Sequence, residues 1–193
     1  MLNLLDSQNT WTLFLDRDGV INKKLESDYV KNWDQFVFCD GSLTALKKIA
    51  EVFSKVIIVT NQRGIGKKLM TVEQLEIIHQ KMVKEINFAG GRIDKIYFCE
   101  DENDSAICRK PNIGMGLNAK VDFPEIDFAK SIMVGDSISD IQFAKNLGIK
   151  SGYISNKIEL KTEEKVDSDF RFNSLLDFSQ RLHLCDLGKL SLL

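Results

Sequence analysis

The sequence predicts an α/β fold, a three-layer, Rossmann-like arrangement in which a mostly parallel central sheet carries helices on both faces. Three observations lead there. Short β-rich runs alternate with segments of helical periodicity. Two of the runs, Leu13-Phe14-Leu15 and Ile132-Met133-Val134, stop abruptly and are followed by carboxylates, as buried strands delivering acids to a site would. Only two prolines, Pro111 and Pro124, occur, and no Ser/Gly-rich linker or repeat divides the chain.

Taken in order, the strand candidates are Trp11 to Leu15, Val56 to Val59, Ile93 to Phe98, Ile132 to Val134 and Ser151 to Ile154. Between the first two, Leu43, Leu46, Ile49, Ala50 and Phe53 recur at helical spacing after Ser42, read as the N-cap, so this helix should bury one stripe against the sheet. Thr71 and Gln74 fit a capping box ahead of Leu75, Ile78, Met82 and Ile86. A later helix carries Ile141, Ala144 and Leu147 and stops at Gly148. The polar stretch Asn22 to Asp34, the segment Arg63 to Met70 and the acidic loop Glu100 to Ser105 are expected to cover the working edge, because ligands bind beyond strand C-termini in open α/β sheets. One domain spanning 1–193 is expected, with its core at about 11–178 and no large cap domain.

Composition narrows the function classes. Of 193 residues 44% are hydrophobic, enough for one substantial core, and 26 basic against 28 acidic residues leave a net charge of only -2. No general field for nucleic acid or an acidic membrane follows, so an anionic substrate has to be captured locally. The N-terminal residues lack a charged leader followed by an apolar segment, and no stretch approaches the roughly 18 apolar residues of a membrane span. A soluble, cytoplasmic protein is expected. Four irregularly spaced cysteines, Cys39, Cys99, Cys108 and Cys185, suggest reduced thiols rather than a disulfide framework.

The chemistry sits at the strand ends. Asp16 and Asp18, with Asp136 from a separate strand, would converge at the C-terminal edge, where like-charge repulsion demands a cation; hard oxygen ligands suit magnesium. A carboxylate can attack phosphorus directly, and Asp16 is positioned for that, while Asp18 on the same side can donate a proton and later deprotonate water. Thr60 would hold phosphoryl oxygens and Lys110 would offset the charge of nucleophile and phosphate. Asn61 and Arg63 lie where they could meet substrate, and Arg109 can fork two hydrogen bonds onto a second phosphate or a carboxylate. Each residue alone has an ordinary reading, Asp18-Gly19 as a turn, Asp136 as a helix cap and Lys110 as a solvated lysine; their order along the chain argues for the site.

Phe14-Leu15-Asp16-Arg17-Asp18-Gly19-Val20-Ile21-Asn22, Thr60-Asn61-Gln62, Cys108-Arg109-Lys110-Pro111 and Val134-Gly135-Asp136 resemble the haloacid dehalogenase superfamily of phosphatases, within its capless branch of heptose-bisphosphate and histidinol-phosphate phosphatases. The match runs from about Leu13 to Ile149. The resemblance implies Asp16 as nucleophile, Asp18 as acid/base, Thr60 and Lys110 as phosphate holders, and magnesium on the carboxylates of Asp16 and Asp136 and the backbone carbonyl of Asp18, with Asp140 behind them. It implies a phosphomonoesterase acting through an aspartyl-phosphate on a small phosphorylated metabolite. Asp28-Tyr29-Val30, Phe36 and Asp40-Gly41 resemble the heptose enzymes, so heptose 1,7-bisphosphate is expected; Ser139-Asp140-Ile141-Gln142 is similar to the histidinol-phosphate type, the alternative. Where relatives carry Cys-x-His ahead of Cys-x-Cys-Arg-Lys-Pro, this chain has Cys99, Asp101, Ala106 and Cys108, only a partial site, so no structural zinc is expected. His79, inside a helix, is read as a surface or packing residue. From another class, a phospho-accepting signalling module or an inactive binding module would share the strand-end aspartate, but Asp18 gives an acyl phosphate its own hydrolytic base.

Overall fold

The computed structural model describes residues 10–25, 28–155, 166–185 and 189–192; the first nine residues, on which the leader reading rests, lie outside them. Six strands form one sheet: β1 (Thr12–Leu15), β2 (Lys55–Asn61), β3 (Lys95–Cys99), β4 (Ser131–Gly135), β5 (Lys150–Ile154) and β6 (Phe170–Phe172). Their order is β3-β2-β1-β4-β5-β6 and every pairing is parallel. The chain leaves β1 in one direction for β2 and β3 and returns on its other side for β4, so the order reverses beside β1 and opens a crevice at the strand ends. Leu15 lies level with Ile58 of β2 and Val134 of β4, which sets Asp16, Thr60 and Asp136 within two residues of one edge.

Alternation along the strands builds two cores. Leu13, Leu15, Val56, Ile58, Ile132 and Val134 face one side, where α1 (Ser42–Val52), α3 (Val72–Phe88) and α6 (Leu175–Gln180) bring Leu46, Ile49, Leu75, Ile78, Met82, Ile86 and Phe178. Phe14, Ile57, Val59 and Met133 face the other, against Met115, Ala119, Phe143, Ala144 and Leu147 of α4 (Gly114–Asp122) and α5 (Ile138–Leu147). Each fully buried Leu, Ile or Phe is worth roughly 1.5–3 kcal/mol, so both faces of β1 anchor the strand that carries the acids.

Local chemistry sets the helix ends. Thr71 accepts from the Gln74 backbone and Gln74 accepts from that of Thr71, the reciprocal cap expected for α3. Ser137 and Asp140 make the same box for α5, which stops at Gly148 in the left-handed region. Ser42 is not the cap of α1: Gly41, at φ 75°, takes that place, and the Ser42 hydroxyl is buried without a hydrogen-bond partner. Three elements carry no sequence signal that stood out: α2 (Arg63–Gly66) is a single turn, α4 has a weak apolar stripe, and β6 is three residues long at the sheet edge. Leu182–Cys185 and Lys189–Leu192 form a separate antiparallel ribbon beyond the expected core boundary. Between β1 and α1 the described residues carry one 3-10 turn, Trp33–Gln35, whose tryptophan stacks on Phe36 and meets Phe38 edge-on, and no larger module.

The expectation of reduced thiols is corrected at one pair. Cys99, ending β3, and Cys108 are joined in a disulfide with their Cα atoms 5.4 Å apart. The acidic loop turns back through Arg109 N–H donating to the Ala106 carbonyl and Ala106 N–H to that of Asn103, a closure that a spacing of nine residues does not reveal. Cys39 is a free thiol, and burial pushes it up to about 11.

Candidate active site

The end of β1 turns sharply. Arg17 accepts at its carbonyl from Ile21 and Asn22, and Gly19 N–H donates to the Asn22 carbonyl, which folds the residues after Asp16 over the sheet edge. Gly19 makes this possible: its φ is +87°, and a Cβ there would lie 2.1 Å from Asp136 Oδ2. Asp16, Asp18, Thr60, Asn61, Lys110 and Asp136 line one pocket of about 190 Å³, together with Lys24, Tyr29 and Val30 from the covering stretch.

Lys110 is the centre of the charge arrangement. Its ammonium donates to Asp16 Oδ1 at 2.9 Å, Asp140 Oδ1 at 2.6 Å and the Val59 carbonyl at 2.7 Å, so all three N–H groups are used. Burial works against its charge, but Asp140 and Asp16 outweigh that and hold its pKa above the ordinary lysine value. Asp140 also accepts from Ser137 N and Oγ, so its cap of α5 fixes the carboxylate that orients the lysine. Asn61 donates to the Lys110 carbonyl and accepts from the Lys110 N–H; its amide is occupied in splinting that backbone.

Asp18 is held from three sides. Arg17 Nη2 reaches its two oxygens at 2.7 and 2.8 Å, Asn22 Nδ2 donates to one and Gln62 Nε2 to the other, each at 2.9 Å. Burial alone would raise Asp18; the Arg17 charge and these hydrogen bonds outweigh it and keep the carboxyl below its usual range. Gln62 donates also to Thr60 Oγ1, which leaves the threonine's own proton free to donate into the pocket.

The acids suit a divalent cation. Asp16, Asp136 and Asp140 offer oxygens within 4.8 Å of one another. Asp136 Oδ1 is buried without a hydrogen-bond partner, and burial, with Asp140 adding, pushes that carboxyl up. Asp16 is pushed up to about 7 by burial and by the carboxylates of Asp140, Asp136 and Asp18, against the pull of Lys110. Two ammonium groups meet these three carboxylates, Lys110 on Asp16 and Asp140 and Lys24 at 3.4 Å from Asp136 Oδ2, and an all-oxygen set still one positive charge short fits magnesium.

Arg63 and Arg109 stand apart from this pocket lining. Both pair with Asp104 in the acidic loop, Arg109 through Nε at 3.0 Å, and Arg109 also donates to the Asp101 carbonyl. Sequence reasoning gave no role to Arg17, Asn22, Gln62 or His79. Arg17, Asn22 and Gln62 left a trace only as members of the quoted motifs, Arg17 as a cation wedged between two acids after an apolar strand. His79, read as a surface or packing residue, is buried and shares a hydrogen bond of 3.2 Å with Arg17 Nη1.

A parallel sheet whose central strand ends on a lysine-paired aspartate, beside a second acid from the neighbouring strand, defines a phosphatase of the haloacid dehalogenase type. The comparisons with known proteins narrow this: the family described as polynucleotide kinase 3 phosphatase matches residues 12–179, and the chain belongs to it. It is a phosphoric monoester hydrolase. The chain is 35% identical over 170 residues, 88% of its length and 90% of the relative's, to D-glycero-alpha-D-manno-heptose-1,7-bisphosphate 7-phosphatase of Mycobacterium tuberculosis. It is equally 35% identical, over 174 residues, 87% of this chain and 92% of the other, to the beta-anomer enzyme of Neisseria meningitidis. Among solved structures, the D,D-heptose 1,7-bisphosphate phosphatase of B. bronchiseptica, complexed with magnesium and phosphate, superposes with a TM-score of 0.79 at 28% identity, covering 88% of this chain and 96% of that one. No helix among the described residues is long and apolar enough to cross a membrane.

Proposed function

We propose that this chain is a magnesium-dependent phosphatase that removes one phosphate from a heptose 1,7-bisphosphate through an aspartyl-phosphate on Asp16. The observation that carries the mechanism is the buried bond from Lys110 to Asp16 beside the unpartnered oxygen of Asp136. The substrate class rests on the similarity to heptose phosphatases over most of both chains. Relatives of equal identity act on opposite anomers, so the reading extends to the phosphorylated heptose and not to its anomeric form.

In the first displacement an Asp16 carboxylate oxygen attacks phosphorus, the ester P–O bond breaks, and the leaving oxygen takes the proton of Asp18. In the second, Asp18 removes a proton from water, which attacks the acyl phosphate and frees Asp16 and inorganic phosphate. The resting clasp on Asp18 matches its second role, since a base has to be ionised. The first role needs a proton, and the incoming phosphate's negative charge favours its uptake. Magnesium, held by the Asp16 and Asp136 carboxylates and the Asp18 carbonyl, would neutralise phosphoryl charge. Lys110 stays charged beside the nucleophile, and Thr60 donates to a phosphoryl oxygen. Arg109, with Arg63 sharing Asp104, would exchange that carboxylate for the second phosphate.

Phosphate release from heptose 1,7-bisphosphate and histidinol phosphate, measured side by side with magnesium, tests the reading. Faster turnover of the heptose, and none by Asp16→Asn, is expected. Preference for histidinol phosphate would overturn the substrate, and an active Asp16→Asn variant the mechanism.

A further inference from the structure

Among the described residues Arg17 is the largest fully buried side chain, at 0% exposure, and in the chain it stands between Asp16 and Asp18 of the pocket. A buried guanidinium is a poor way to gain stability. Desolvation of the charge works against folding, and here Arg17 Nε has no hydrogen-bond partner. What the guanidinium does accomplish is directional: Nη2 takes both oxygens of Asp18, and Nη1 lies 3.2 Å from Nε2 of His79, sixty-two residues further along.

His79 is suited to receive it. Arginine only donates, so Nε2 has to present its lone pair, and the ring's proton belongs on Nδ1. The ring belongs to α3 and is 7% exposed, with Phe98 of β3 edge-on at a centroid distance of 6.2 Å. Burial and the Arg17 charge push its pKa down to about 3, so it remains a neutral acceptor at working pH.

We propose that His79 is a positioning residue for the acid/base step: the ring fixes Arg17, and Arg17 in turn fixes the Asp18 carboxylate, so that a residue on a helix outside the pocket sets where the proton is given and taken. This rests on the reading of Asp18 as the acid/base. It adds to that reading a chain of two side chains running from the helical layer to the reacting proton. Asn22 and Gln62 hold Asp18 as well, but each donates to a single oxygen, whereas the guanidinium meets both.

The test compares phenyl phosphate with 4-nitrophenyl phosphate, nearly the same shape, for wild type and for His79→Leu, His79→Gln and Asp18→Ala with saturating magnesium. Phenoxide leaves with about the basicity of a tyrosine side chain and needs the proton; nitrophenoxide needs it far less. The ratio of kcat/KM values covers only steps through departure of the leaving group, so later hydrolysis of the acyl phosphate does not enter. For His79→Leu the phenyl-to-nitrophenyl ratio should fall about fivefold or more, a fraction of the roughly hundredfold that an acid can supply. His79→Gln, which restores an acceptor, should return it to within about threefold of wild type, where packing damage alone would lower both esters alike. If the Leu protein does not fold, His79→Met carries the same comparison. An unchanged ratio in His79→Leu, or no recovery in His79→Gln, while Asp18→Ala shifts the ratio, overturns the positioning role alone. An unchanged ratio in Asp18→Ala overturns the acid/base reading beneath it.

Discussion

Replacing Lys110 by methionine keeps the length of the side chain and removes its charge, and the structure fixes what is lost. The lysine side chain is 2% exposed, and its ammonium serves the Asp16 and Asp140 side chains at 12% and 0% exposure. Stripping the cation from a buried pair leaves an uncompensated charge, worth about 3–5 kcal/mol. The Val59 carbonyl also loses its donor, a further ~1 kcal/mol. Asp140→Asn should cost less, about 1.5–3 kcal/mol, because the lysine keeps Asp16 and Val59 while one charge-assisted bond weakens. In the double variant no charge is stranded at position 140, so the two losses should fall short of their sum by about 2 kcal/mol. Urea unfolding of all four proteins at pH 8 in EDTA measures that coupling. A coupling under about 0.5 kcal/mol would refute the view that Lys110 and Asp140 act as one unit.

Arg109→Ala should raise KM, or lower kcat/KM, more for a bisphosphate than for an aryl phosphate; equal effects in steady-state assays on both would remove its recognition role. His79 gives a pH signature with a definite sign. Its folded pKa of about 3 lies below the ordinary 6.5, so the unfolded chain binds a proton that the folded one refuses, and stability should fall by about 1.4 kcal/mol per unit as pH drops from about 6.5 towards 3. His79→Gln should flatten that part of the denaturation profile, and an identical slope would refute the assignment. Gly19→Ala should weaken magnesium binding in calorimetric titration by tenfold or more, because its Cβ would fall on Asp136 Oδ2 at a positive φ; unchanged affinity would show that the turn relaxes freely.

The parts of this fold that show in the sequence are those with a local physical signature. β1, β2 and β4 lie between two helical layers and read as continuous apolar runs, and the Thr71 and Gln74 box is written within four residues. Phe170-Arg171-Phe172 is too short and too near the edge to give a pattern, and Gly114 and Gly116 dilute the periodicity of α4. The acids of the pocket were legible because strand ends expose them in order. The bonds that orient those acids were not, since Gln62, Asn22 and His79 reach Asp18 or Arg17 across loops and layers whose meeting depends on the whole sheet. The Cys99 and Cys108 pairing has the same origin, a loop closure with no composition signal of its own.

Lys110 touches the ends of β1 and β2 and the first turn of α5 with a single nitrogen atom. A fastening shared by three segments couples their opening, because losing one contact loosens the lysine that holds the other two, so fraying of this edge is cooperative. Heat inactivation and loss of the sheet's spectroscopic signal should therefore follow a common curve, with no inactive yet folded species between them.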